Sequence, residues 1–133
     1  MTTELNVLAL AVLLQAVQIA LYSVAGNLQA GTKAAMSPRD SKIELTGLAG
    51  RLQRAMNNHF EGLILYGIAV MVVTLSGRSS LVTEICAHTY LVARILYVPA
   101  YVQGLVPWRS VIWGVGFAAT LIMILAALFG GTA

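Results

Sequence analysis

The sequence predicts an all-α integral membrane protein, a single four-helix transmembrane bundle occupying residues 1–133. Three observations carry that reading. Hydrophobic residues make up 59% of the chain and charged residues only 10%, whereas an ordinary soluble domain carries about 25% charged residues. The mean hydropathy is +0.83, which leaves little room for a soluble domain at this length. Four apolar stretches also reach or approach the roughly 20 residues that a helix needs to cross a bilayer.

The first stretch covers about residues 5–25, inside a run with no charge between Glu4 and Lys33. The N-terminus lacks the positive region of a cleaved signal peptide, so this run is expected to stay in the membrane. The second has an unbroken apolar body from Gly62 to Leu75. It is extended backwards to residues 56–76 to reach spanning length. The third covers residues 81–102 and the fourth residues 109–129. Breakers separate them: Gly77-Arg78-Ser79-Ser80 before the third, Gln103-Gly104 with Pro107 before the fourth, and Gly130-Gly131 after it. One long connection, about residues 27–47, holds Lys33, Arg39 and Lys42.

Charge sets the expected orientation, because loops facing the cytoplasm are rich in Lys and Arg. The long loop carries three such residues, Arg51 and Arg54 follow it, and Arg109 lies in the third connection. The opposite side holds only Arg78. Both termini are therefore expected to face outward, to the periplasm of a bacterium, with the first and third loops in the cytoplasm. A net charge of +3 without basic runs interleaved with aromatics argues against nucleic-acid binding. The single cysteine, Cys86, excludes an internal disulfide and reads as a small buried hydrophobe. His59 and His88 have no partner at metal-ligand spacing, so no metal site is expected.

Polar residues inside apolar helices are costly and need partners. Arg51, Arg54, Asn58 and Glu61 are spaced 3, 4 and 3 apart, on one face of the second helix. Tyr90, Arg94, Tyr97 and Tyr101, spaced 4, 3 and 4 apart, form a stripe on the third. Counted from the outer helix ends at 1.5 Å per residue, both stripes reach the cytoplasmic half, roughly 20 Å down. Plainer readings exist for several of these. Arg51 suits a snorkelling position at the interface. Tyr90, Tyr101, Trp108 and Trp113 suit an aromatic belt. A Glu61–Arg94 bridge between helices would need no ligand. Against them stands the charge count: Arg54, Arg94 and Arg109 face the single Glu61, so the expected guest is a small anion or zwitterion.

These motifs resemble those of the MAPEG family, the membrane-associated proteins in eicosanoid and glutathione metabolism. Arg54-Ala55-x-x-Asn58-x-x-Glu61 is similar to one signature of that family. Arg94-x-x-Tyr97-x-x-x-Tyr101, followed after a short loop by Arg109, is similar to the second. The resemblance extends over the whole chain in length and helix count. It implies a bacterial inner-membrane homotrimer that binds glutathione as co-substrate between subunits, near the cytoplasmic face. Arg54, Asn58, Glu61, Arg94, Tyr97, Tyr101 and Lys33 would bind the peptide, and Arg109 and Tyr97 would be catalytic. Lys33 stands where some relatives carry an arginine pair. Arg109 follows Tyr101 at a distance one residue longer than in some of them.

The activity so implied is that of a glutathione transferase or peroxidase. A thiolate held by Arg109 or a Tyr hydroxyl would attack a lipophilic second substrate delivered by membrane lipids. The alternative within the family is a non-catalytic protein that binds a lipid or a partner. A third reading is a small multidrug exporter. Such exporters place a carboxylate in the middle of the first helix, where this chain has Gln15 and Gln18.

Overall fold

The computed structural model describes residues 1–30 and 46–130. Four helices account for nearly all of them: α1 (Thr3–Ala30), α2 (Gly47–Leu75), α3 (Leu81–Val102) and α4 (Trp108–Phe129). All four are long and apolar enough to cross a membrane.

Two of the helices overrun the expected spans. α2 begins at Gly47 rather than 56, and α1 continues to Ala30 rather than 25. The expected limits measured hydrocarbon thickness, but a helix satisfies its own backbone wherever it runs and has no reason to stop at the interface. α2 consequently carries Arg51 and Arg54 on additional helix before the expected start of the span. The start of α2 is tied back to the end of α1: the Gln29 amide donates to the Thr46 carbonyl and accepts from the Thr46 N–H, both at 2.8 Å.

The two short connections are closed by the same device. Gly77 and Gly104 both adopt φ +68°, a left-handed conformation in which a side chain is strained. Each ends its helix with a pair of reversed backbone bonds. Gly77 N–H reaches Thr74 O and Arg78 N–H reaches Val73 O; Gly104 N–H reaches Tyr101 O and Leu105 N–H reaches Ala100 O. Ser80 and Thr83 then open α3 as a reciprocal cap, each side chain meeting the other's backbone N–H.

Among the described residues, α2 and α3 each pack against all three other helices, whereas α1 and α4 do not touch. The middle pair is therefore buried and the outer pair flanks it. Polarity is segregated along the bundle axis. The half nearer the chain termini holds the apolar core: Val7, Ala11, Tyr66, Ala69, Val70, Val73, Cys86, Ala87, Tyr90, Ala119, Met123 and Ala127. The alanines let backbones approach closely, which is how helices associate without a hydrophobic driving force between them. Tyr66 and Tyr90 stack at 4.1 Å between α2 and α3. Tyr90 is therefore a core residue, 2% exposed, and not a member of an aromatic belt.

The rim of that half is sealed by hydrogen bonds. Glu4 is fully buried, and its Oε1 accepts from Ser79 Oγ at 2.8 Å and Thr83 Oγ1 at 2.7 Å. Arg78 donates to the Ala127 and Gly130 carbonyls at the end of α4. The other half, toward the α3–α4 connection, buries Gln15, Gln18, His59 and Arg94.

Candidate functional site

In that polar half the stripes of α2 and α3 meet. Arg94 is the link. It is 2% exposed, and its Nη1 donates to Asn58 Oδ1 at 2.9 Å while its Nε donates to His59 Nδ1 at 3.2 Å. His59 must then accept at Nδ1, so Nε2 carries the hydrogen and donates to the Ala11 carbonyl at 2.9 Å. Three helices, α3 to α2 to α1, are thus joined through one guanidinium and one imidazole. The bridge from Glu61 to Arg94 allowed by the sequence is not formed: Arg94 bonds to Asn58 and His59 instead. Glu61 is exposed.

Toward the α3–α4 connection the aromatic rings take up the cations. The Arg94 guanidinium lies 4.6 Å from the centre of the Tyr97 ring. Arg109, at the start of α4, lies 4.9 Å from the centre of the Tyr101 ring. Arg54 donates from Nε to Tyr101 Oη at 3.0 Å and sits 5.9 Å from the same ring. Tyr97 and Tyr101 pack against each other at 5.6 Å, tilted by 40°. A cation over a ring face is attracted by the ring quadrupole, worth about 0.5–1 kcal/mol when exposed and ~2 when desolvated. Arg54 and Arg109 thus share the Tyr101 ring, while Arg94 takes the Tyr97 ring.

These contacts surround an open cleft of about 520 Å³ lined by Asn58, Tyr97, Tyr101, Arg109, Ser110, Trp113 and Gly114. Four residues singled out in the sequence therefore share one surface: Asn58, Tyr97, Tyr101 and Arg109. Arg54 reaches it through the Tyr101 hydroxyl, and Arg94 supports it from behind Tyr97 and Asn58. Glu61 borders a separate, smaller cavity that it shares with Arg94. Lys33 lies outside the described residues.

Two participants escape sequence reasoning. Trp113, assigned by sequence to an aromatic belt, lines the cleft. His59, assigned no role, orients Arg94. The signal for His59 is its place inside an apolar helix next to Asn58, where an imidazole needs a buried partner.

Chemically, the cleft offers guanidinium groups, two phenolic hydroxyls and an amide. An anion entering it would meet positive charge, with hydroxyl donors and a flat aromatic wall beside it. Guanidinium forks bind carboxylates bidentately, and a cation near a thiol favours the thiolate.

The chain matches neither a curated protein nor a solved structure. A family model does match, the MAPEG family, over residues 7–129. That match reaches all four helices and includes every described residue of the cleft, so the chain belongs to the MAPEG family.

Proposed function

We propose that this chain is a glutathione-dependent membrane enzyme, joining glutathione to lipophilic electrophiles or reducing lipid hydroperoxides. Membership of the MAPEG family supports the wider setting of glutathione and eicosanoid metabolism in a membrane. The observation that carries the finer reading is the grouping of Arg109, Tyr97, Tyr101 and Asn58 around one open cleft, with Arg54 bonded to Tyr101 at its edge.

In this reading Arg54, Asn58, Glu61, Arg94, Tyr97 and Tyr101 hold the peptide. Glu61 suits its ammonium group, and the arginines suit its carboxylates. Arg109 and the Tyr97 hydroxyl stabilise the sulfur as a thiolate. A free thiol has a pKa near 8.5, and an opposite charge within about 4–6 Å lowers it by roughly one to three units. The thiolate then attacks an electrophilic carbon, forming the S–C bond as the leaving group departs with its electron pair. With a hydroperoxide it attacks the outer oxygen, releasing the alcohol and leaving a sulfenic acid; a second thiol converts that to the disulfide and water.

The cleft opens on the bundle surface, beside long rows of exposed apolar residues on the flanking helices. A homotrimer would shield polar faces from lipid and complete the site with a neighbouring subunit. The excess of Lys and Arg in the first and third connections supports a cytoplasmic site in a bacterial inner membrane, with both termini in the periplasm.

Calorimetric titration of the detergent-solubilised protein with glutathione tests the binding assignment. Wild type binds, and Arg54→Ala and Glu61→Gln bind much more weakly. Equal binding by all three would remove these residues from the site. Arg109→Ala separates enzyme from non-catalytic binder: it abolishes turnover with a model electrophile while glutathione still binds.

A further inference from the structure

His59 is fully buried. It lines neither the cleft nor the smaller cavity, so it does not touch a ligand held in either. Both of its ring nitrogens are engaged nonetheless, one toward α1 and one toward α3. Nε2 donates to the Ala11 carbonyl at 2.9 Å, and Nδ1 accepts from Arg94 Nε at 3.2 Å. A neutral imidazole has one donor and one acceptor, so the first bond decides the second. A backbone carbonyl can only accept. It takes the nitrogen that bears the hydrogen and leaves a lone pair on Nδ1, facing Arg94.

α1 is held in the register that makes this possible. Gln15 Nε2 donates to the Met56 carbonyl at 3.3 Å, and Gln18 Nε2 donates to Gln15 Oε1 at 3.4 Å. Gln15 and Met56 each lie one turn along their helix from Ala11 and His59. The two ties between α1 and α2 therefore fix the same antiparallel register. Among the described residues, α1 contributes nothing to the cleft itself.

The consequences reach the cleft through Arg94. Its Nη1 donates to Asn58 Oδ1 at 2.9 Å, and its guanidinium lies 4.6 Å from the centre of the Tyr97 ring. With Oδ1 engaged, Asn58 keeps its NH2 group as the free end. Asn58 and Tyr97 both line the cleft, so two of its walls depend on where Arg94 stands. Without the lone pair on His59, the buried Arg94 Nε would lose its only partner among the described residues, and desolvation would drive the side chain to another position.

We propose that His59 is the positioning residue of the cleft: held by the Ala11 carbonyl with its hydrogen on Nε2, it fixes Arg94 and, through Arg94, the Asn58 and Tyr97 side chains that meet the ligand. The proposal rests on the glutathione reading only for the identity of that ligand.

The first half of the test needs no ligand. The chain has two histidines, and His88 is exposed and outside the cleft, so His88→Gln leaves His59 as the sole imidazole. Nitrogen NMR of this variant, labelled at histidine and arginine and held in micelles at neutral pH, reads the ring directly. A single neutral form with hydrogen on Nε2 is expected, together with a slowly exchanging Arg94 Nε–H identified by its loss in Arg94→Lys. The opposite tautomer, or a doubly protonated ring, overturns the proposal whatever the ligand is.

Calorimetric titration with glutathione supplies the second half, through two substitutions that each keep one bond. Glutamine sends an amide nitrogen toward Ala11 but has no acceptor where Nδ1 stood. Asparagine places an amide oxygen near the Nδ1 position but falls short of Ala11. His59→Gln should lose about tenfold or more in affinity, the worth of a hydrogen bond to a charged group. His59→Asn should recover most of that loss. Each variant gives up one buried bond, so both melting temperatures fall, and a merely structural histidine would weaken binding alike in both. Equal weakening, or the greater loss in His59→Asn, overturns the proposal. A wild-type protein that shows the expected tautomer and the Arg94 bond but binds no glutathione removes the functional reading and leaves the positioning of Arg94 supported.

Discussion

Replacing Asn58 with alanine removes the oxygen that accepts from Arg94 Nη1 at 2.9 Å and leaves a buried guanidinium with one fewer partner. Hydrogen bonds between membrane helices average about 0.6 kcal/mol in double-mutant cycles and reach ~1.7. Those to charged groups in proteins generally contribute about 1.5–3 kcal/mol. The Arg94–Asn58 bond is charge-assisted, short, and made by a side chain that is 2% exposed. It therefore belongs at the upper end of the membrane range, about 1.5 kcal/mol. The measurement is reversible unfolding in mixed micelles for wild type, Asn58→Ala, Arg94→Met and the double variant. The double-mutant cycle isolates the pairwise contribution from the loss of packing that each substitution causes alone. A coupling near 1.5 kcal/mol is expected. A coupling at or below about 0.6 kcal/mol would refute the claim that a buried charge is being satisfied, and would mean that Arg94 is solvated from the cleft side.

Other contacts in the bundle carry further expectations. Arg109→Ala should raise the pH at which bound glutathione is half ionised, by roughly one to three units. The sign follows from removing a cation that favours the ionised sulfur, and the ultraviolet absorbance of the thiolate, followed across pH without turnover, reads it. Tyr101→Phe deletes the acceptor of Arg54 Nε but keeps the ring beneath Arg109; stability should fall by only about 0.5–1.5 kcal/mol while KM for glutathione rises, as steady-state kinetics would show. Met123→Ala empties a fully buried core position and should cost about 2–5 kcal/mol in the same micellar unfolding assay, with glutathione affinity unchanged in the surviving folded fraction. Gly104→Ala forces a side chain into φ +68° and should cost about 1–2 kcal/mol. Because that turn aims the start of α4, turnover should also fall through displacement of Arg109.

How legible the site was varies residue by residue. Asn58, Tyr97, Tyr101 and Arg109 stand out as polar side chains on apolar helices, and all four line the cleft. Glu61 has the same helical spacing, yet it borders the neighbouring cavity and makes no bridge to Arg94. Tyr90 extends the same stripe as Tyr97, but one sits in the core against Tyr66 and the other faces the cleft. Periodicity gives an angle around one helix; it carries nothing about which neighbouring helix stands at that angle and height. Trp113 and His59 show the converse, since neither belongs to a stripe and both contact the site or its support.

What the sequence determined by itself was the all-α, four-crossing architecture. Transfer free energy is summed over some 20 residues per span, so it survives any error in a single position, and the left-handed glycines mark where two of the helices must end. The tertiary structure alone decided that α2 and α3 lie between α1 and α4, that Arg94 turns to Asn58 and His59 rather than Glu61, and that Gly62 and Gly116 leave a cavity instead of a closed contact. Those outcomes depend on the relative rotation and register of packed helices, fixed by a few small residues and a few buried hydrogen bonds whose energies are comparable to those of the alternatives. No local pattern along the chain encodes that choice.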